Sequence, residues 1–327
     1  FLDAVCTHIS DIDFGKINHF SGNYTFWYES SQLALRQRTQ QNKKAEEKKK
    51  ELQEFIDRFS ANVAKPKQAT SRKKMIEKLD IEELKPSSRR YPALIFEQER
   101  EAGDQILNIE DLSSSVNGNV LFSNVNINFA KGDKVIVHAK DTRAIKSFYD
   151  ILMGVSQQDK GSFEWGITTS QAYLPLNHEV FFEKSISLVE WLRQYTKSEE
   201  EREEVFIRGF LGKMLFSGEE ALKASNVLSG GEKVRCMLSK IMMERANVLL
   251  LNEPTNHLDL ESITAFNNSL KNFKGTLFFS TSDHTFSQTL GNRIIELTPV
   301  GVIDRYTSFD EYMTDPKIKE LRSKMST

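Results

Sequence analysis

The spacing of apolar residues predicts several strands in the C-terminal two thirds of the chain. Val248–Leu251 are four consecutive aliphatic residues, the pattern of a parallel strand buried on both faces, and Glu253 follows near its C-terminal end. Further upstream, residues 125–129 alternate between apolar and polar, and a turn at 131–133 leads into the apolar run 135–137. These segments predict strands of one sheet-containing domain.

A second apolar pattern, with helical spacing, precedes this region. Apolar residues recur every three or four positions along one stretch and again along a shorter stretch after Pro66, which interrupts the first. The two stripes consist of Leu52, Phe55, Ile56, Phe59 and Val63, and then of Met75, Ile76 and Leu79. The spacing predicts a hairpin of two helices.

The first residues of the chain echo a pattern near its end. Residues 1–12 resemble residues 286–297, and both stretches continue into a glycine turn, at Gly15 and Gly301, followed by a strand. Self-similarity at this separation indicates a duplicated domain. We therefore expect residues 1–30 to be the tail of a first domain whose body is missing from this chain.

The basic residues are concentrated in the predicted hairpin. Residues 31–92 hold 17 lysines and arginines against 9 acids, a net charge of +8, while the whole chain carries −2 and the remainder therefore −10. The predicted tip holds Lys65, Lys67, Arg72, Lys73 and Lys74. Charge runs are usually solvated surface, but the local excess on a projecting hairpin favours a polyanionic partner for this segment.

Composition and cysteine usage exclude several classes of protein. The chain is 39% hydrophobic and 28% charged, which is ordinary for a globular protein. No apolar run approaches the roughly 18 residues that a membrane span requires. Cys6 and Cys236 are isolated, so we predict neither a metal site nor a disulfide framework, and a reducing, cytoplasmic location.

Two motifs carry the candidate chemistry. Leu228-Ser229-Gly230-Gly231-Glu232 places a serine and two glycines at the start of a predicted helix, where backbone N–H groups suit a phosphate. Such a tripeptide alone is most often an ordinary turn that caps a helix. The strand Val248–Leu251 and Glu253 follow at a fixed interval, however, and the two motifs in this order favour a nucleotide-binding role.

The pair resembles the signature and Walker B motifs of ATP-binding-cassette (ABC) ATPases. The continuation to His257-Leu258-Asp259, the duplicated tail and the basic hairpin are similar to the ABC-F class, which has two ABC domains on one polypeptide. The resemblance implies an α/β, ABC-type P-loop NTPase domain with an antiparallel β subdomain and an α-helical subdomain, preceded by a helical-hairpin linker. The implied divisions are a first-domain tail at 1–30, the linker at 31–104, the second ABC domain at 105–314 and a polar tail at 315–327.

The expected phosphate loop departs from the family pattern, Gly-x-x-x-x-Gly-Lys-Ser/Thr. The glycine positions hold Ala139 and Ala144, the lysine position holds Ile145, and the hydroxyl position holds Lys146; Lys146-Ser147 fits only if the loop shifts by one residue. Other nucleotide contacts differ too. The magnesium-binding Asp, the switch histidine, the glutamine and the adenine-stacking aromatic of the family correspond to Asn252, Ser282, Leu176 and Val116. We predict that this domain's own nucleotide site is degenerate.

The intact signature implies a composite ATP site. In ABC ATPases each ATP lies between the phosphate loop of one domain and the signature of another, so Ser229 and Gly231 are expected to contact the γ-phosphate of ATP-Mg²⁺ held by the missing first domain. Glu253, the family's catalytic glutamate, faces the degenerate half. The chain alone is therefore predicted to be inactive, although the full tandem protein is predicted to be an ATPase.

The ABC-F resemblance also implies a ribosomal partner. Members of the class are translation or antibiotic-protection factors that contact ribosomal RNA and tRNA through the linker, without a membrane partner. Two alternatives remain open from the sequence. One is the nucleotide-binding subunit of an ABC transporter, and the other is a non-catalytic ABC-like scaffold.

Overall fold

The computed structural model describes residues 2–13, 15–59, 71, 74–76 and 91–325. Its internal contacts divide the chain into two compact units, Phe1–Arg90 and Tyr91–Thr327. Each unit is described below by itself. No helix within the described ranges is both long enough and apolar enough to cross a membrane.

The first unit contains a short hairpin and a long helix. Its elements are α1 (Leu2–Val5), β1 (His8–Asp13), β2 (Lys16–Ser21) and α2 (Tyr24–Phe59). The two strands are antiparallel, and Gly15 between them has a φ of +73°, which favours glycine. Asn23 caps the start of α2, because its Oδ1 accepts the Phe26 N–H at 3.0 Å. The helix continues past residue 30, where a domain boundary was predicted.

Of the predicted helical hairpin, the described residues cover the first arm as far as Phe59 and, from the second arm, residues 71 and 74–76, which include Met75 and Ile76 of the second stripe. In the first arm, Ile56 of the predicted stripe is 5% exposed. Of the five cations at the predicted tip, Lys74 belongs to a short described helical segment, residues 74–76. Lys65, Lys67, Arg72 and Lys73 lie outside the described residues, so their role as a hairpin tip stays a prediction.

In its described residues, the second unit consists of nine α-helices around two sheets, and only two of these helices are longer than eleven residues. The helices are α3 (Thr142–Leu152), α4 (Leu188–Arg193), α5 (Glu199–Arg202), α6 (Glu204–Lys213), α7 (Gly230–Glu244), α8 (Leu260–Asn272), α9 (His284–Leu290), α10 (Phe309–Thr314) and α11 (Pro316–Met325). The strands are β3 (Gln105–Val116), β4 (Asn119–Ala130), β5 (Lys134–Ala139), β6 (Lys160–Trp165), β7 (Gln171–Leu174), β8 (Val248–Asn252), β9 (Thr276–Ser280), β10 (Arg293–Leu297) and β11 (Val302–Arg305).

A six-stranded sheet in the order β11-β10-β5-β9-β8-β7 forms the centre of this unit. Strands β10, β5, β9, β8 and β7 are parallel, and β11 is an antiparallel edge strand. A separate three-stranded antiparallel sheet has the order β4-β3-β6. The α/β prediction, with an antiparallel β subdomain and a helical subdomain, is confirmed.

Strand β8 shows how both faces of the central sheet are buried. Leu249 and Leu251 pack into a cluster with residues of α7, α8, α9 and the helical subdomain, whereas Val248 and Leu250 pack with α3 and the antiparallel sheet. Alternate side chains of a strand point to opposite faces, so a continuous apolar run is required here. This arrangement leaves the carboxyl ends of the parallel strands at one edge of the sheet.

Two segments differ from their predicted assignments. Residues 91–104, assigned to the linker, belong to the second unit, because Leu94 and Phe96 are both 7% exposed in its core. Residues 316–325, assigned to a polar tail, form α11. Ile318 of α11 is 3% exposed, and the Arg322 Nε donates to Glu296 at 2.6 Å, so this helix packs on the domain.

The two echoing segments have the same order of elements. In each, a helix leads to an antiparallel strand pair and then to a further helix, as α1-β1-β2-α2 and as α9-β10-β11-α10. Strand β10 is buried at every residue and pairs in parallel with β5. In β1, by contrast, Ile12 is 68% exposed.

Candidate functional site

The connection between β5 and α3 occupies the place of the expected phosphate loop. Only Lys140 and Asp141 lie between the end of the strand and the start of the helix. Asp141 caps α3, because its Oδ1 accepts the Arg143 N–H at 2.9 Å. The Arg143 guanidinium also donates to both carboxylate oxygens, with Nη2 at 2.7 Å from Oδ2. These hydrogen bonds from Arg143 lower the pKa of the Asp141 carboxyl.

The residues aligned with the phosphate-loop motif point mostly into the core. Ala139 ends β5, and Ala144 and Ile145 lie on the buried face of α3, at 7%, 1% and 6% exposure. Ile145 stands at the family's lysine position, and its side chain belongs to an apolar cluster. These side chains supply no polar group that could contact a phosphate.

The alternative pair Lys146-Ser147 is already engaged within the domain. The Lys146 Nζ forms an ion pair with Asp150, one turn further along α3. The hydroxyl groups of Ser147 and Ser114 lie 2.7 Å apart. Neither residue is therefore displaced toward the loop, as a shift by one residue would require.

Asp150 is a buried polar residue of α3. Asp150 is 7% exposed, and its Oδ1 accepts the Tyr173 hydroxyl at 3.1 Å. Burial and the neighbouring Asp150 raise the pKa of Tyr173 far above its ordinary value. Asp150 therefore holds partners from two different elements, Lys146 on α3 and Tyr173 on β7.

Asn252 and Glu253 lie at the carboxyl end of β8. The Asn252 Oδ1 accepts the Ser280 hydroxyl at 2.9 Å, and its buried Nδ2 has no partner among the described residues. An amide in this position lacks the negative charge that favours a divalent cation. Glu253 has a φ of +49°, and its Oε2 accepts the Ser282 N–H at 3.1 Å. Ser282, at the switch position, therefore orients Glu253 through its backbone.

A small cleft of about 80 Å³ lies beside these two residues. It is lined by Leu174, Pro175, Leu176, His178, Val234, Asn252, Glu253, Asn256 and His257. Burial lowers the pKa of His178, which favours its neutral form. A volume of this size holds only a few water molecules. Within the described ranges, no group of three His, Cys, Asp or Glu side chains is placed to hold a metal ion.

The signature residues form the exposed start of α7. Ser229 caps the helix and forms a capping box with Glu232: the Ser229 N–H donates to the Glu232 Oε2 at 2.7 Å, and the Ser229 Oγ accepts the Glu232 N–H. Lys223 donates to the other Glu232 oxygen at 2.8 Å. Burial opposes ionisation of Glu232, but the bonds from Lys223 and Ser229 outweigh it and lower the carboxyl pKa.

The two signature glycines lie against the loop after β8. A Cβ at Gly231 would stand 2.6 Å from the His257 carbonyl oxygen, and one at Gly230 would stand 3.2 Å from the His257 ring. His257 itself has a φ of +63°. Close backbone approach therefore requires glycine at position 231 independently of any phosphate.

Contacts with the core hold both Leu228 and the loop after β8 in place. Leu228 is 6% exposed in the main core, where it holds the start of α7 in place. Leu258 is partly buried against the same core, and Asp259 caps α8 by accepting the Ser262 N–H at 2.7 Å. The loop that follows Glu253 and the signature thus form one packed surface.

Of the remaining positions at which the sequence departs from the family, Leu176 lines the cleft beside Asn252 and Glu253. Val116 ends β3 and is 40% exposed, and Leu176 follows β7 and is 42% exposed. His284 begins α9, where its Nε2 lies 2.6 Å from an Asp310 oxygen. Their side chains contribute no adenine-stacking ring and no carboxamide.

Sequence reasoning missed the residues that fill the site. Asp141, Arg143, Asp150 and Tyr173 do not belong to the phosphate-loop pattern, which asks only for glycine, lysine and a hydroxyl. A signal was present, since an Asp just before a helix is a strong N-cap. The contacts of Asp150 could not be found in this way, because Tyr173 is distant in sequence.

Comparisons with known proteins agree with this architecture. Two family models match, both described as "ABC transporter": an extension model over residues 10–96 and the ATP-binding domain model over residues 110–256. The chain is 53% identical over 98% of its length to "Uncharacterized ABC transporter ATP-binding protein YkpA" of Bacillus subtilis. It is 26% identical over 98% of its length to "ABC transporter F family member 5" of Arabidopsis thaliana.

The chain spans 59% and 47% of the lengths of these two relatives. A solved dimeric structure of the ATP-binding cassette MJ0796, in a post-hydrolysis state with ADP and Pi, superposes with a TM-score of 0.52. It has 16% sequence identity and covers 62% of this chain and 98% of that one, which shows the fold alone. The chain belongs to the ABC ATP-binding protein family and contains an ATP-binding-cassette domain. Domains of this type generally bind ATP with Mg²⁺ and hydrolyse it.

Proposed function

We propose that this ABC ATP-binding protein works as part of an ABC-F-type tandem protein on the ribosome. In this proposal, ATP hydrolysis takes place at a composite site between this domain's signature and the phosphate loop of a preceding ABC domain. The observation that carries the proposal is the contrast between the two half-sites. The signature helix start is exposed and polar, whereas the short connection in place of the domain's own phosphate loop lacks the family's glycines and lysine and is capped by the Asp141 carboxylate.

The geometry of the signature supports a contact with a γ-phosphate. The Ser229 hydroxyl accepts the Glu232 N–H at the exposed start of α7. The N–H groups of Gly230 and Gly231 make no hydrogen bond to the described residues and lie at a helix N-terminus, where an anion is favoured. Donors so placed stabilise charge that develops on a transferring phosphoryl group.

The basic segment supports an RNA partner. Helix α2 has 36 residues and is therefore about 54 Å long. Five exposed lysines lie along this helix, Lys43, Lys44 and Lys48–Lys50, within a segment of net charge +8. Contacts between cations and backbone phosphates dominate the affinity of proteins for nucleic acid. The F-family name of one relative supports the same class.

Two other functions have specific observations in their favour. The names of the relatives as ABC transporter ATP-binding proteins favour a transporter subunit, which leaves the basic segment without a role. The closed phosphate loop favours a non-catalytic scaffold if the preceding domain is degraded as well. An intact phosphate-loop motif in the preceding domain supports the enzyme and contradicts the scaffold.

The catalytic part is tested by ATPase assays on the polypeptide that includes the preceding domain. Ser229→Arg fills the exposed helix start and should lower the turnover rate by about 100-fold or more. Gly209→Ala on α6 is the matched control, since a Cβ there meets no atom within 4 Å and the rate should not change. Unchanged turnover in Ser229→Arg contradicts the composite site. Residues 1–327 alone should hydrolyse ATP negligibly.

The ribosomal part is tested by co-sedimentation of the same polypeptide with ribosomes over a range of salt concentrations. Changing Lys65, Lys67, Arg72, Lys73 and Lys74 to Glu should weaken binding and reduce its salt dependence. Lys317→Glu with Lys319→Glu, on exposed positions of α11, is the control for a general loss of positive charge. Absence of binding by the unmodified protein at low salt contradicts the ribosomal proposal.

A further inference from the structure

The start of α3 carries an anion that belongs to the protein itself. In an ABC domain, the helix after the phosphate loop directs its first N–H groups, and the positive end of its dipole, toward the nucleotide phosphates. In this chain the Asp141 carboxylate accepts the Arg143 N–H at 2.9 Å at that helix start. The Arg143 side chain then pairs with the same carboxylate through a two-pronged contact.

We infer that Asp141 is an internal substitute for the nucleotide phosphate, so that this domain's own site is closed to ATP rather than merely unable to hydrolyse it. The inference rests on the fold and on the contacts of α3, and it is independent of the ribosomal and composite-site proposals. It distinguishes two cases. In one, the site has lost hydrolysis but still binds nucleotide; in the other, the protein's own side chains occupy the site.

Electrostatics at the loop oppose a second anion. Asp141 is ionised at neutral pH, because its bonds with Arg143 lower its pKa. A phosphate at the same helix start would lie beside this carboxylate, and like charges at close range repel. Arg143 is already paired with Asp141 in the two-pronged geometry that carboxylates prefer, so this carboxylate offsets its positive charge.

The nearby lysine is committed to a buried partner. Lys146 pairs with Asp150, which is 7% exposed and also accepts the Tyr173 hydroxyl. The Lys146 side chain is 53% exposed, but moving it away would leave the buried Asp150 carboxylate without its cationic partner, which is unfavourable. Lys146 would have to leave Asp150 in order to reach a phosphate.

The backbone leaves no loop that could wrap around phosphates. Only two residues separate β5 from α3, and Ala144 and Ile145 are buried on the helix face that packs against the sheet. Opening the loop would pull these side chains out of the core. Burial of these apolar side chains is stabilising, so the short connection is held in place without a ligand.

Nucleotide binding to residues 1–327 gives the first test. We expect no saturable binding of a fluorescent ATP analogue with Mg²⁺ up to about 1 mM, the upper end of ordinary substrate affinities. Ser229→Arg should leave this result unchanged. Saturable one-to-one binding at micromolar concentrations, which persists in Ser229→Arg, overturns the inference.

Thermal unfolding with inorganic phosphate gives the second test. Asp141→Ala removes the internal anion and should lower the Tm by about 2–4 °C. Millimolar phosphate should restore much of this loss, relative to sodium chloride of equal ionic strength, and should leave the unmodified chain unaffected. The matched control is Asp283→Ala, which removes the cap of α9, where the Asp283 Oδ1 accepts the Phe286 N–H at 2.8 Å. Its Tm should fall without restoration by phosphate.

Asp141→Gly covers the case in which the alanine variant does not fold, since glycine is an accepted N-cap residue. It should show the same stabilisation by phosphate. If neither variant responds to phosphate, or if Asp283→Ala responds equally, Asp141 is an ordinary helix cap and the inference is wrong. A phosphate response of the otherwise unmodified chain that persists in Ser229→Arg, where the start of α7 is blocked, also overturns it.

Discussion

Two helix starts in this domain are capped by different residues, although both correspond to phosphate-binding elements of the ABC fold. At α7 a neutral serine caps the helix, and the charged member of its capping box, Glu232, is held by Lys223. At α3 a carboxylate caps the helix directly. A hydroxyl cap leaves the positive end of the helix dipole available to an external anion, whereas a carboxylate cap neutralises it. The choice of capping residue thus separates an open half-site from a closed one.

The largest expected effect sharpens the signature side of this comparison. Gly231→Ala places a Cβ 2.6 Å from the His257 carbonyl oxygen and should lower the free energy of unfolding by about 1–3 kcal/mol, as overpacking does. Urea unfolding of the 327-residue chain measures this change. The control is Gly209→Ala, which replaces a helix-interior glycine with open space around it. This variant should have a free energy of unfolding about 0.5–1 kcal/mol higher than the unmodified chain. Equal behaviour of the two variants means that the signature glycine is not held by the His257 contact.

The next effect concerns the closed side. Asn252→Asp restores the family's carboxylate at a site that is 4% exposed, with the Ser280 hydroxyl as its donor. A buried carboxylate with a single donor should lower the free energy of unfolding by about 1–2 kcal/mol. Urea unfolding should therefore show a loss, and Mg²⁺-dependent ATP binding should not appear.

Asn267→Asp is the matched control for this substitution, because Asn267 is 9% exposed and its Oδ1 also accepts a single hydroxyl, from Thr289 at 2.9 Å. A similar loss of stability in both variants is expected. If Asn252→Asp alone gains ATP binding, the site is open and the contrast between the two helix starts fails.

The smallest effect is pH-dependent and tests the capping box. The folded-state pKa of Glu232 lies below its ordinary value of 4.5, so its ionised form contributes stability that is fully present above about pH 4.5 and is lost as the pH falls through the folded-state pKa. Glu232→Gln should therefore lower the free energy of unfolding by about 1 kcal/mol at pH 7. Urea unfolding from pH 7 to pH 3 should show the difference between the two proteins shrinking. A constant difference across this range contradicts a role for the charge.

Much of the fold follows from local sequence patterns. The run Val248–Leu251 predicted a strand buried on both faces, and that strand is found at the centre of the parallel sheet. Ser229-Gly230-Gly231 predicted a helix start, and α7 does begin there, with a capping box between Ser229 and Glu232. Such features depend on residues only a few positions apart, so a single segment contains the information that forms them.

Boundaries were less predictable. The stretch 91–104 lacks a strong period, and its membership of the second unit depends on Leu94 and Phe96 packing against distant helices. Phe96, for example, lies 5.6 Å from the ring of Phe266. The helix α11 looks polar in sequence, and its Arg322 finds a buried partner, Glu296, only in the folded domain.

The sequence by itself determined the class of the domain, the intact signature and the loss of the phosphate-loop glycines and lysine, because these are properties of adjacent residues. The tertiary structure decided what occupies the vacated site. Tyr173 reaches Asp150 from another element, and His257 meets Gly231 from a loop that follows a different strand. These contacts join residues far apart in the chain, and their energies depend on burial, which only the packed fold creates.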